Sequence, residues 1–488
     1  MRRNGFLYIS LALILSVAVM AGGCGKEDGT AGPQLLEALN QNPFGLEYRV
    51  DGNNISSTGE KGGHRVIFED AELIFDTAIL KETALGENIK EQKVPIAIDE
   101  IAFLYKPKED YLECLYMKGM HFKWDLADMV KLPDSTMKEG APEMDLDFRA
   151  GKMQFTDYNL SPMLTYKGDD IWEFAEKFME HNQSVNSVMK DFTYKINLSD
   201  IGKGEQEPGD LNMEFSIGEM SFTQKSISTF FVNLYRKDAT IPNLDELLDK
   251  GEPLFDMNAS MKEMNFSFSG VDEGEKVSGK GALADAEVSY YVKPDEEKTH
   301  FNFGLDYHLG AVELDIPAED AKEAVEIIEG LERLNLDFSL KHLSPQLVKT
   351  YLEMTRDNIT MQGDPEKMKQ AAAGSGQQLL GQLMQSQPVL SVSISPLEHE
   401  IGKMELNADF SMPAMMTPDG KAVVKIYDLE KVLTAIKNMK GFSEQDFNNF
   451  SQWAAMMLRT DDQGNGVMTF EMKQEEPGVR YLNGQRMN

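Results

Sequence analysis

The sequence predicts an α+β protein: an elongated, curved and mostly antiparallel β-sheet with amphipathic helices packed on or beside it. Three observations lead to this prediction. Many segments alternate apolar and polar residues with a period of two, which is typical of strands with one buried face. A short cadence, seen in SIGEMSF at 216–222, recurs along the chain. A few segments instead space their apolar residues as an amphipathic helix does.

The first residues predict export from the cytoplasm. Arg2 and Arg3 precede an uninterrupted apolar run from Phe6 to Met20. That run is short for a helix that crosses a bilayer, and it has the length of the apolar region of a secretory signal peptide.

The residues after this run, Ala21-Gly22-Gly23-Cys24, resemble the lipobox of bacterial lipoproteins, in which the cysteine carries the lipid. The resemblance implies a signal peptide at 1–23, lipidation of Cys24 and a flexible tether at 24–33. Because Gly25 rather than Asp follows the cysteine, it also implies the outer membrane, facing the periplasm. The alternative is an ordinary signal peptide with an unmodified Cys24.

Composition narrows the function classes. The 488 residues include 81 acidic and 48 basic side chains, so the formal net charge is -33. A nucleic-acid partner is therefore not expected, since such binding requires a basic surface. If Cys24 carries lipid, Cys114 has no partner for a disulfide, and we predict that it is a buried apolar residue of a strand. The 30 methionines fill a core or line a surface for varied apolar ligands.

The recurring cadence is an alternating strand interrupted by two polar or small residues, after which the alternation resumes in the opposite phase. A β-bulge or a two-residue hairpin turn would keep both limbs on one face. We predict the bulge, because in two copies a helix follows too soon for a second strand. A series of bulges would curve the sheet into a trough. The copies end at Phe75, Phe103, Phe122, Phe155, Phe222, Phe266, Leu343 and Leu406.

Hairpins and helices complete the prediction. AEVSYYVK and THFNFGLDYHLG flank one polar turn, and FTYKINLSDI and DLNMEFSI flank another. One helix is expected to run from Asp170 to Phe192. The remaining helices are predicted to begin near Asp125, Pro317, Ser344, Asp364 and Ser443.

The last third resembles the YdgA-like family of bacterial envelope proteins, a domain of unknown function. The resemblance rests on the order of LNLDFSLKHLSPQLVKTYLEM, a Leu-Leu to Pro lead-in, and a final strand with Gly478, Asn483 and Gly484. It covers 330–488 and, more loosely, the repeated strands at 34–329, and it implies one continuous body without catalytic residues. Members of the family usually keep an uncleaved N-terminal anchor, whereas this chain has a lipobox.

Catalytic and metal-binding motifs are absent from the sequence. The seven histidines form no zinc motif, and His300 and His308 lie too far apart along one strand to share a metal. SGKGALAD does not fit a phosphate loop, and DDQGNG at 461–466 fits a turn better than a calcium loop. We therefore expect no enzyme activity, no metal and no cofactor.

These observations predict a lipid-anchored envelope protein that binds lipid or another apolar ligand in a groove of the sheet. The alternative is a structural or interaction scaffold whose apolar faces are closed by helices and whose acidic surface meets protein partners in the envelope. The candidate groove residues are Phe103, Phe122, Phe155, Met220, Phe222 and Phe266.

Overall fold

A computed structural model shows a mostly antiparallel β-sheet protein with a few helices, as the sequence predicts. The structure describes residues 31–41, 46–60, 62–76, 92–125, 143–167, 171–182, 184–201, 209–226, 241, 243–272, 275–316, 328, 330–360, 379, 381–383, 385–411, 419–438, 443–473 and 479–487. The predicted signal peptide, Cys24 and the helices expected near Asp125, Pro317 and Asp364 lie outside these residues.

The chain forms two compact units. Unit 1 comprises 1–223 and 261–280, and unit 2 comprises 224–260 and 281–488. The prediction that 34–329 and 330–488 are two portions of one continuous body remains a prediction. A helix, α1 (Ala31–Leu39), covers the last three residues of the predicted tether.

Unit 1 begins with α1 and a short 3-10 helix (Gly52–Asn54), and two further helices are α2 (Ser161–Thr165) and α3 (Ile171–His181). Strands β1 and β2 both pair with β3, and β3 to β7 then pair in chain order, all antiparallel. The strands of this unit, of which β8 to β10 extend beyond it, are β1 (Glu47–Arg49), β2 (Ile55–Glu60), β3 (Gly63–Asp76), β4 (Lys93–Lys106), β5 (Tyr111–Asp125), β6 (Glu143–Thr156), β7 (Ser184–Ile201), β8 (Gly209–Ser226), β9 (Phe255–Asp272) and β10 (Glu275–Pro294).

Ion pairs join the last strands of unit 1. Lys190 and Lys195 of β7 bind Glu219 and Glu214 of β8, at 3.1 and 2.9 Å. Glu219 also binds Lys262 of β9 at 3.1 Å. As the residue number rises on β7 it falls on β8, which is the relation expected of antiparallel neighbours.

Unit 2 is also built from antiparallel strands, and its helices pack against these strands in two separate clusters. Strands β10, β11, β13, β14, β15, β16 and β18 pair in that order. Its helices are α4 (Leu244–Lys250), α5 (Pro345–Thr360), α6 (Leu429–Asn438) and α7 (Glu444–Met457). Its further strands are β11 (Phe301–Leu309), β12 (Val312–Asp315), β13 (Leu331–Leu343), β14 (Val389–His399), β15 (Gly402–Ser411), β16 (Asp419–Ile426), β17 (Arg459–Thr460), β18 (Gly466–Met472), β19 (Arg480–Leu482) and β20 (Gln485–Met487).

Two predicted helix starts are confirmed. The Ser344 hydroxyl accepts a hydrogen bond from the Leu347 backbone N–H (3.3 Å), and Pro345 occupies the first helical position of α5. Helix α7 begins directly after Ser443. The hairpin of AEVSYYVK and THFNFGLDYHLG is also confirmed, as the pair β10–β11.

The predicted helix from Asp170 to Phe192 is wrong beyond His181. Helix α3 ends there, and 184–201 is strand β7. The Asn182 amide donates to the Phe178 carbonyl (2.8 Å) and its side-chain oxygen accepts from the Asn159 N–H (2.7 Å), so this residue ends the helix and ties it to another segment. The stretch VMKDF at 188–192 is a further copy of the cadence.

In unit 1 the interruptions of all copies align across the sheet. We call the residues at this level the kink row: Asp70, Asp99, Gly119, Gly151, Asp191, Gly218 and Glu263. The strand pairs β3–β4, β5–β6 and β6–β7 keep one register on both sides of this row. The predicted one-sided bulge is therefore wrong here, because each strand's extra residue faces an extra residue of its neighbour.

The backbone of the kink row alternates from strand to strand. Asp70, Gly119, Asp191 and Glu263, on every second strand, have φ values of 48°, 61°, 53° and 54°. Such left-handed residues reverse the side-chain phase within a continuous strand, which explains why apolar residues on both sides of the row share one face.

Two copies in unit 2 behave differently. At Leu343 the register of β11 and β13 shifts between Phe301 and Phe303, so this copy is a β-bulge as predicted. The copy at Ile401 is instead a hairpin turn, because His399 of β14 pairs with Gly402 of β15.

Candidate functional site

One part of the unit 1 sheet has a closed core. Apolar side chains of β1 and β3 to β6 pack with α1, α2 and α3, and residues of β7 pack against the edge of this cluster. The side chains are nearly free of solvent: Phe103 is 0% exposed and Met117 is 1% exposed. The cluster includes no residue of β8 or β9.

The same apolar face continues over β7, β8 and β9, where most of its side chains are partly exposed, although Ile217 (4%) and Met264 (7%) are buried. One row of methionines shows the change. Met117 and Met153 pair across β5 and β6 and are buried, at 1% and 6% exposure. Met189 pairs with Met153, and the ion pairs of Glu219 with Lys190 and Lys262 place Met220 and Met261 next in the row; all three methionines are partly exposed. We call the apolar side chains of β7 to β9 the open face: Met189, Phe192, Tyr194, Ile196, Leu211, Met213, Phe215, Ile217, Met220, Phe222, Met261, Met264, Phe266 and Phe268.

The open face carries no charge. Its members are apolar side chains and Tyr194, whose pKa is raised by burial. From Met189 to Ile196, strand β7 alone extends over roughly 23 Å at the usual rise per strand residue. A surface of this kind can bind an extended apolar chain by dispersion and exclusion of water, and offers nothing to hold a charged group.

The six predicted groove residues divide between these two regions. Phe103, Phe122 and Phe155 are 0%, 7% and 8% exposed in the closed core, so they do not line an open groove. Met220 and Phe222 lie partly exposed on the open face, and Phe266 is 36% exposed. The sequence prediction misses Phe192 because it ends a helix there, and it places Tyr194 in a hairpin strand without a role in the groove.

Unit 2 has an apolar face of its own. Small buried clusters lie where α4 and α5 meet β11 and β13, and where α6 and α7 meet β16. A cross-strand row on the intervening strands is partly exposed throughout and consists of Leu336, Ile394, Leu406, Val424 and Met468.

The opposite face of the unit 1 sheet carries charged side chains that form ion pairs. Lys118 binds Glu100 at 2.8 Å, and Lys190 and Lys262 both bind Glu219. Hydrogen bonds from these lysines lower the pKa of Glu219. The sheet is thus amphipathic, with ion pairs on one side and methionine and phenylalanine on the other.

The predicted lack of catalytic chemistry remains a prediction, but single residues can be placed. Cys114 is fully buried in β5, and burial raises the pKa of its thiol, so it is a core residue as expected. The predicted turn at 461–466 is confirmed: the Asp461 carboxylate accepts from the backbone N–H groups of Gln463 (2.8 Å) and Asn465 (2.9 Å).

We expect His308 of unit 2 to make a pH-dependent contribution to the stability of the protein. Its ring nitrogens lie 2.6 Å from Asn335 Oδ1 and 2.7 Å from Asp285 Oδ2, and Asn335 is oriented by donating to the Ser395 carbonyl. Both nitrogens face acceptors, so the hydrogen bond to Asn335, opposed by burial and supported by Asp285, raises the pKa of His308. A raised pKa contributes stability that is fully present below the unfolded value of about 6.5 and is lost as pH rises through the folded value.

We therefore expect His308→Gln to lower the midpoint of thermal unfolding by about 2 °C or more at pH 5.5 and by less at pH 8.5. Thermal unfolding of both proteins at the two pH values measures this. An equal loss at both would contradict a protonated His308.

Comparisons with known proteins give no relative. No family model, no curated protein and no solved structure matches the chain, so the YdgA-like resemblance remains a prediction without support from these comparisons. Among the described residues, no helix has the length and hydropathy required to cross a bilayer.

Proposed function

We propose that this protein is a non-enzymatic, lipid-anchored protein of the bacterial envelope that binds acyl chains on the open face of its sheet. The observation that carries the proposal is that the solvent exposure of the side chains changes along one apolar face of the sheet. The rows that are buried on β5 and β6 continue onto β8 and β9, where the methionine and phenylalanine side chains other than Met264 are at least partly exposed.

The chemistry of the open face supports an acyl chain over other ligands. The face has no charged side chain, so a polar ligand would lose its hydration without compensation. Methionine adapts to flexible apolar partners, and Phe266 offers an exposed aromatic surface. Curvature of the sheet along the kink row, and hence a trough, forms part of the proposal.

The location forms the second part of the proposal. The apolar run from Phe6 to Met20 followed by Cys24 supports lipidation at that cysteine and attachment to the outer membrane, facing the periplasm. A protein held there by its N-terminus would have its open face within reach of membrane lipids. The alternative, a scaffold with protein partners, requires the open face to be covered.

Phe266→Asp tests the binding site. Fully burying a phenylalanine is worth about 1.5–3 kcal/mol, so replacing it by a carboxylate should weaken binding at least about tenfold. The measurement is titration of the full chain with an environment-sensitive fluorescent fatty acid. Ser267→Asp is the matched control, because it adds the same charge to an exposed position of β9 on the opposite face. Equal binding by both variants would exclude the open face as the site.

Cys24→Ser tests the anchor. If the thiol carries lipid, the substitution removes the attachment site and with it the acyl burial that holds the protein to the membrane. We expect radiolabelled palmitate to enter the unaltered protein and not the variant, and the Cys114→Ser control to label normally. Equal labelling of both cysteine variants would refute lipidation at Cys24.

A further inference from the structure

Two histidines that are distant in the sequence meet in unit 2. His300 lies directly before β11 and His342 near the end of β13, where the two strands pair. Their ring centroids are 5.9 Å apart, with a 40° angle between the ring planes. No sequence motif associates them, because 41 residues separate them and the pairing of β11 with β13 brings them together.

The backbone holds His342 in an uncommon conformation. Its φ is 62°, a left-handed value that is unusual for a residue other than glycine. Its backbone N–H donates to the Asn302 side-chain oxygen (3.2 Å), which fixes the bulge at this point. No hydrogen bond to the His342 ring occurs within the part of the chain that the structure describes, so both ring nitrogens are available to a ligand.

Two polar side chains, Thr299 and Asp295, orient the His300 ring through its Nδ1. Its Nδ1 lies 2.9 Å from Thr299 Oγ1, which lies 3.4 Å from Asp295 Oδ2. The Asp295 carboxylate can only accept while it is ionised, so the threonine hydroxyl donates to it and accepts from His300 Nδ1–H. Asp295 is itself fixed by the Thr299 backbone N–H (2.9 Å). These hydrogen bonds leave the lone pair of His300 on Nε2, the tautomer arrangement that orients metal-binding histidines in proteins.

We propose that His300 and His342 bind a divalent metal ion of the kind that prefers imidazole ligands, such as zinc or copper. Two imidazoles that share a tetrahedral ion have ring centroids roughly 5–6 Å apart, because each nitrogen lies about 2.1 Å from the metal. Imidazole is a preferred ligand of both ions. No group of three histidine, cysteine, aspartate or glutamate side chains among the described residues is placed to hold a metal, so water completes the coordination.

Four other described histidines each have a ring nitrogen within hydrogen-bond distance of a protein group, as His300 has through Nδ1: His121, His181, His308 and His399. His64 is half-buried in unit 1 and serves as a control, since its removal leaves the His300–His342 pair intact.

The test is calorimetric titration of the full chain, in detergent and free of metal, with zinc chloride alone. We expect one zinc ion per chain, at least about tenfold weaker binding for His300→Ala and for His342→Asn, and unchanged binding for His64→Ala. Asparagine is chosen at 342 because it tolerates the left-handed backbone. Zinc should also raise the unfolding temperature of the unaltered protein and not that of the two site variants.

Three results would overturn the proposal: no saturable binding of one ion per chain, unchanged affinity in both site variants, or loss of binding in His64→Ala. Circular dichroism of each variant without metal confirms that it is folded, so that a loss of binding reports on the site. Fatty-acid binding of the same variants distinguishes this proposal from the proposed function, because zinc binding does not depend on the open face.

Discussion

Gly119→Ala should destabilise the protein by about 3 kcal/mol. Gly119 has a φ of 61°, which costs a residue with a Cβ about 1–2 kcal/mol. The added Cβ would also overlap the Asp99 carboxylate of the adjacent strand, and such crowding typically costs a further 1–3 kcal/mol. The first effect follows from the left-handed backbone of Gly119, and the second arises because the kink row places Asp99 over this glycine.

Chemical unfolding followed by circular dichroism measures this loss. Gly59→Ala is the control, because that glycine also lies in a strand but no atom lies within 4 Å of its added Cβ. Combining Gly119→Ala with Asp99→Gly should recover the part of the loss that is due to overlap. A Gly119→Ala variant as stable as Gly59→Ala would contradict the paired arrangement of the kink row.

Phe103→Ala should cost about 3–5 kcal/mol, whereas Phe266→Ala should cost about 1 kcal/mol or less. The two phenylalanines occupy equivalent positions in copies of the same cadence, yet Phe103 is 0% exposed and Phe266 is 36% exposed. Truncating Phe103 leaves a cavity beside Phe68, whose ring centroid is 5.6 Å away. Truncating Phe266 removes a side chain that water already reaches.

The pair of variants therefore measures where the closed core ends. Unfolding free energies from denaturant titration give both values under one condition. If Phe266→Ala proved as costly as Phe103→Ala, the face of β8 and β9 would be covered in solution, and the scaffold alternative would be favoured over ligand binding.

Local sequence patterns predicted most of the strands, because period-two alternation reflects the burial of one face. They could not distinguish Phe103 from Phe266, since both end the same cadence. Burial of the first depends on α1, α2 and α3, which come from distant parts of the chain. Half of the predicted groove was therefore assigned to residues that the helices cover.

The sequence also could not show whether each interruption is a β-bulge or an extra residue that faces an extra residue of the next strand. A single strand with an extra residue fits a bulge, and only the neighbouring strands show that each has its own extra residue at the same level. The pattern at 184–192 predicts a helix because Val185, Val188 and Phe192 also fit helical spacing. Its Lys190-Asp191 interruption is the signal that could have identified it as a strand.

The most direct test of acyl-chain binding is mass spectrometry of the full chain. Its native mass gives the number of bound lipids, and the masses of the lipids extracted from it by solvent identify them. The protein is taken from envelope fractions, with Phe266→Asp prepared in parallel. We expect a fixed number of acyl lipids bound per chain in addition to the covalent anchor, and few or none on the variant. A protein that carries only its anchor, and takes up no added fatty acid, would contradict ligand binding on the open face.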